Sequence, residues 1–149
     1  MYTTYGINPM SQLLQSPAMR GKTNLTCNAW QASNTEGYFA VTGHWIEESI
    51  TSRWELKSAS LGFTQVYNAY DGKRLGQALY KIVERVGIEH KVSTRPIISC
   101  ICTTRSCFIQ IGHITCDNAS NNRAMLEEFS VHIERRTKTV FPWCKRRIK

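Results

Sequence analysis

Residues Thr23–Trp30 alternate, with Leu25, Cys27 and Ala29 on one side and Thr26, Asn28 and Trp30 on the other, as a strand with one buried face does. Gln31–Gly37 (QASNTEG) is turn chemistry throughout. Tyr38–Ile46 (YFAVTGHWI) is rich in β-branched and aromatic residues and reads as a second strand. After Glu47–Ser52, Arg53–Phe63 alternates again and makes a third. Three consecutive strands with short connections predict an antiparallel meander. The period then changes. In Lys73–Val86, Leu75, Leu79, Ile82, Val83 and Val86 form one helical stripe, opened by Asp71-Gly72 and closed by Gly87. Ile111–Cys116 is a short apolar strand running into Asp117, and Asn118–Arg136 predicts a second helix with Met125, Leu126, Phe129, His132 and Ile133 on one face. The order β-β-β-α-β-α predicts an α/β fold in which a crossover helix brings the fourth strand parallel to the first. Residues 1–21, with a short apolar helix at Met10–Leu14 and then Pro17, read as a lead-in to a core at 22–149.

Composition narrows the class. With 149 residues, 42% hydrophobic and 20% charged, the chain suits one globular domain. The formal charge of +8 favours an anionic partner, nucleic acid being the commonest. The excess is late, in Arg135, Arg136, Lys138, Lys145, Arg146, Arg147 and Lys149; a solvated helix face with a basic tail is the plainer reading of the same residues. MYTTYGINPM lacks the basic and apolar regions of a secretory signal, and the longest apolar stretch, Ile97–Ile101, is far too short to span a bilayer. No membrane partner is expected, and the six cysteines are expected to be reduced thiols of an intracellular protein. Cys100, Cys102 and Cys107 with His113 fit no usual zinc spacing.

Asp117 is the leading candidate for chemistry. It sits where a buried strand gives way to a helix, the place α/β folds use for ligand sites, and the following Asn118-Ala119-Ser120-Asn121-Asn122 is small and polar. A helix cap alone also explains that composition. His44 and His113 lie on strands and read as core-edge residues; Trp30, Trp45 and Trp54 read as sheet packing, with base stacking the lesser alternative.

TCDNASNN resembles the signature around the second catalytic carboxylate of hAT-type DNA transposases, the superfamily that includes the Activator element. Leu25–Trp30 (LTCNAW), Gly37–Glu47, Leu56–Phe63 and Arg74–Ile88 resemble that family's first three strands and first helix, in order, most closely in fungal members. The resemblance covers most of Lys22–Arg147 and implies an α/β, RNase H-like fold, here incomplete: a three-stranded antiparallel meander, a helix, a parallel strand and a helix. It also implies a nuclear protein that handles DNA, with homo-oligomers among full-length relatives. In such transposases three carboxylates hold two divalent metals, Mg2+ or Mn2+, which activate the nucleophile and stabilise the leaving oxygen. Asp117 matches the second carboxylate. The first belongs in the slot held by Asn28, whose amide offers a neutral oxygen to a hard cation. The third, a glutamate, lies further downstream than this sequence reaches. Glu84 falls opposite the apolar stripe of its helix, and Glu127 and Glu128 sit well into theirs, so no local acid completes the set. Where the family has a histidine before the first helix, this chain has Tyr70.

The family would run almost directly from His90-Lys91 into Ile111. Val92–Gln110 interposes nineteen residues with no Asp or Glu and no clear period, where connections are normally short. It reads as an insertion: either a translated intron, since Val-Ser and Gln can be encoded by donor-like and acceptor-like codons, or a surface loop. The sequence ends at KRRIK, before the core's remaining strand and helix, which predicts an unpaired sheet edge and marginal stability. The combined expectation is a degenerate transposase fragment that retains nucleic-acid binding at most. The alternatives are a domesticated DNA- or protein-binding module and a metal-dependent nuclease.

Overall fold

The hydrophobic alternation resolves into a sheet with one covered face. The structure, a computed structural model, describes residues 9–14, 16, 18–32, 36–67, 71–88, 91–92, 107–108, 111–117 and 120–148. Along these run α1 (Pro9–Leu14), β1 (Met19–Gln31), β2 (Gly37–Glu48), β3 (Trp54–Val66), α2 (Gly72–Val86), β4 (Lys91–Val92), β5 (Cys107–Phe108), β6 (Ile111–Cys116), α3 (Asn121–Thr137), α4 (Trp143–Arg146) and β7 (Arg147–Ile148). The main sheet has the order β3-β2-β1-β6-β7. β1, β2 and β3 pair antiparallel, whereas β6 lies parallel to β1 and β7 parallel to β6. A parallel neighbour requires a crossover, and α2 supplies it between β3 and β6. The architecture is the expected RNase H-like α/β fold.

α2 buries the stripe its sequence predicts, and α3 buries its own except His132, which stays half-exposed. Leu75, Leu79, Ile82, Val83 and Val86 of α2 are all buried, as are Met125, Leu126, Phe129 and Ile133 of α3. Burying a side chain of this size contributes about 1.5–3 kcal/mol, so these rows, facing Leu25, Phe39, Val41 and Ile114 of the sheet, dominate the core. Asp71 caps α2 by accepting from the Lys73 and Arg74 amides, and Gly87 closes it in the left-handed region at φ 75°. α2 and α3 approach closely because Gly76 has no side chain: a Cβ there would lie 2.6 Å from the Met125 carbonyl oxygen.

Four features depart from expectation. β1 begins at Met19 rather than Thr23; a bulge between Arg20 and Asn24 breaks the alternation that would have revealed it. Leu14 of the lead-in and Met19 are themselves core residues. The core's next strand is not wholly absent, because Arg147 and Ile148 pair with Ile114 and Thr115 and cover the outer edge of β6 at that level. Phe141 anchors this segment, buried edge-to-face on Phe129 at 5.5 Å. The insertion is not structureless at its base, where Lys91 and Val92 pair antiparallel with Phe108 and Cys107. Tyr70, residues 93–106 and the cysteines considered for zinc, Cys100 and Cys102, lie outside the described residues, as does the side chain of Cys107.

Candidate functional site

The site is set by strand register. Cys27 of β1 and Cys116 of β6 are direct partners in the parallel pair, both buried toward the helices, and their thiols hydrogen-bond to each other. The next residues, Asn28 and Asp117, each lie one position past that pair at the ends of strands that run about 4.8 Å apart where they are paired. Both are exposed. The hydrogen bond to Cys116 holds the Cys27 thiol well above its ordinary pKa, with burial adding to it, while the same bond and the Arg147 charge draw Cys116 below its own.

Asp117 is engaged by the helix that follows it. Asn122, buried at the start of α3, donates from its amide nitrogen to the Asp117 carbonyl oxygen and, at 2.7 Å, to the carboxylate Oδ1. Ser120 holds the cap position but makes no side-chain capping bond, so Asn122 rather than Ser120 ties the strand end to the helix. Asn122, the last residue of the polar run after Asp117, thus serves α3.

The donor set does not fit a pair of divalent cations. One carboxylate oxygen already accepts a hydrogen bond, and the neighbouring slot offers the neutral Asn28 amide. Among the described residues no group of three or more His, Cys, Asp or Glu is placed to hold a metal. Glu84 is exposed and accepts from the Tyr80 hydroxyl at 3.1 Å; Glu128 meets His132 at 3.1 Å, and Glu127 meets Arg123 at 2.9 Å.

The basic residues divide into two groups. Arg135 and Arg136 in the last turn of α3, Lys138 at its left-handed cap and Lys145 on α4 are exposed. Arg146 and Arg147, expected in a solvated tail, are half-buried because β7 joins the sheet. The Arg146 guanidinium donates to the Ile111 carbonyl and lies 5.1 Å from the centre of the Phe141 ring. Arg146 also reaches a groove of about 530 Å³ lined by Arg20, Lys22, His44, Leu56 and His113, among others. Sequence reading passed over Arg20 and Lys22, which flank Gly21 where the bulge hides the strand. Partial burial, and then the nearby Arg146 charge, lower the Lys22 pKa.

The tryptophans divide too. Trp45 is buried at 2% exposure, but Trp30 at 41% and Trp54 at 71% are not core packing. Trp30 and Tyr38 are cross-strand partners, and their rings stack at 6.0 Å; Phe63 lies 5.8 Å from Trp30 and 5.5 Å from Tyr38. His44 contacts the Thr26 hydroxyl oxygen at 3.0 Å, and His113 is exposed, with its backbone amide donating to Asn24, consistent with core-edge positions.

Comparison with known proteins agrees with this architecture. A Talaromyces stipitatus protein named "Putative transcriptional regulator tpeD" is 22% identical over 122 residues, covering 82% of this chain and 12% of that protein. The chain thus spans about an eighth of the length of that curated relative. No solved structure matches. The family model of the ZBED1 RNase-like domain matches residues 26–141, a span that takes in the second half of β1 with Asn28, then β2, β3, α2, Asp117 and α3. By that match over most of its length, the chain belongs to the ZBED1 RNase-like domain family.

Proposed function

We propose that this chain is a non-catalytic, nucleic-acid-binding module descended from the core of a hAT-type DNA transposase and acting in the nucleus. The observation that carries the reading is the position of Asn28 and Asp117, each one residue past the paired Cys27 and Cys116: an amide and a hydrogen-bonded carboxylate where metal-dependent phosphoryl transfer needs two anionic ligands. The net charge of +8 and the exposed run Arg135, Arg136, Lys138 and Lys145 support retained affinity for a polyanion. The family match and the regulator name of the similar Talaromyces stipitatus protein support a transposase-derived nuclear role. Neither Mg2+ nor Mn2+ is a working cofactor in this reading.

The test is a titration of labelled duplex DNA with the chain across a salt series. Binding that weakens steeply with salt, and an Arg135→Ala/Arg136→Ala/Lys138→Ala variant that weakens it further while flattening the salt slope, is the expected result. Binding that is insensitive to salt, or none at all, would refute it.

A further inference from the structure

Among the described residues the helices cover one face of the sheet and leave the other open. Register places Trp30, Tyr38 and Phe63 on that open face, across β1, β2 and β3, with Trp30 and Phe63 exposed at 41% and 58%. Further along β2 lies the groove lined by Arg20, Lys22, His44, His113 and Arg146. Tyr38 and His44 are six residues apart on one strand, so the rings and the groove that holds Arg20, Lys22 and Arg146 share a track about 20 Å long. Among the described residues no carboxylate lines the groove; Glu48 is engaged by Arg20 at 2.5 Å, and Glu36, at the ring cluster, accepts from the Tyr38 hydroxyl at 2.5 Å. We infer that this open face is a platform for single-stranded nucleic acid, with phosphates held by the groove cations and bases stacked on the Trp30–Tyr38–Phe63 cluster.

Three considerations select that occupant. Exposed rings lying side by side on a sheet stack on bases only when those bases are free of a partner strand, which favours single strands over duplex. A groove with cations and no lining carboxylate complements a phosphate backbone, and crowding of Lys22 by Arg146 is relieved by an anion between them. A second copy of the chain would bring the same cations to the same face. The inference rests on the nucleic-acid-binding reading above and adds a second surface, distinct from the exposed cations of α3 and α4.

Fluorescence anisotropy of the 149-residue chain with a labelled 15-nucleotide pyrimidine strand, and with the duplex of the same sequence, tests it. The single strand is expected to bind about tenfold more tightly than the duplex. Trp30→Ala/Phe63→Ala is expected to weaken strand binding about tenfold or more, stacking being worth about 1–3 kcal/mol per base, and to leave duplex binding unchanged. Trp30→Phe/Phe63→Tyr keeps the rings and restores the affinity. Lys22→Glu weakens the strand and flattens its salt slope. All these positions bear exposed side chains apart from the half-buried Tyr38, which is not altered, and far-UV circular dichroism confirms that each variant is folded. A chain that binds strand and duplex equally, and is indifferent to loss of both rings, overturns the platform but leaves the role of the α3 and α4 cations standing. A chain that binds neither overturns both.

Discussion

Cys27 and Cys116 face each other across the only long parallel pairing of the described sheet, and their thiols share a hydrogen bond. The same register carries β1 on to Asn28 and β6 on to Asp117, each one residue past the pair. A slip of one residue would turn the inward cysteines outward and separate the two polar positions. The covered face and the site are therefore consequences of one register.

The thiol pair has a pH signature. Cys116 is drawn below its ordinary value first by the Cys27 hydrogen bond, so Cys27→Ala is expected to move the midpoint of Cys116 alkylation to higher pH. Peptide mapping after a short iodoacetamide pulse at a series of pH values checks this. In the native chain Cys144, which is exposed, labels before Cys116, and Cys27 labels last. An unmoved Cys116 midpoint in the variant would show that the bond does not set its acidity.

Restoring an acid at the site tests the metal argument. Asn28→Asp places a second carboxylate beside Asp117, and is expected to tighten Mn2+ binding about tenfold or more by calorimetry, since two anions attract a divalent cation far better than one. Cleavage of DNA is not expected to return, because no third acid among the described residues joins the cluster. Robust Mn2+-dependent cleavage by this variant would show that the loss of one carboxylate was the whole defect.

Helix packing gives a stability prediction. Gly76→Val must push α3 away, since its Cβ would come within 2.6 Å of the Met125 carbonyl and 2.7 Å of the Glu128 Cβ. Overpacking and the lost close approach are expected to cost about 1–3 kcal/mol, seen as a lower urea midpoint. Gly21→Ala meets no neighbour within 4 Å and bears only the strain of φ 76°, so its cost should be smaller.

Phe141 ties the C-terminal segment to the core. Phe141→Ala removes a ring buried against Phe129 and is expected to cost about 3–5 kcal/mol. Hydrogen exchange at Ile114–Cys116 should accelerate with it, because β7 loses its anchor. Unchanged exchange there would mean that β7 is held by its own pairing alone.

Sequence periodicity predicted some elements well and others poorly, for physical reasons. The α2 stripe and the span of β6 were legible because a 3.6-residue period and an apolar run ending in Asp117 have few competing interpretations. The start of β1 was hidden by its bulge, and β7, two residues long, offers no period at all. Alternation distinguishes two faces of a strand without saying whether both are covered, which is why Trp30 and Trp54 read as packing and prove exposed. At the site, Asp117 and Asn28 could be singled out from the motif, whereas the Asn122 bond to Asp117 and the meeting of Lys22 with Arg146 depend on the turn into α3 and on β7.

The most direct measurement is cleavage of supercoiled and single-stranded DNA by the purified chain in millimolar Mg2+ or Mn2+, beside the same titration read for binding. Salt-dependent binding with no cleavage, identical for the wild type and Asp117→Ala, is the predicted result. Metal-dependent cleavage that Asp117→Ala abolishes would contradict it.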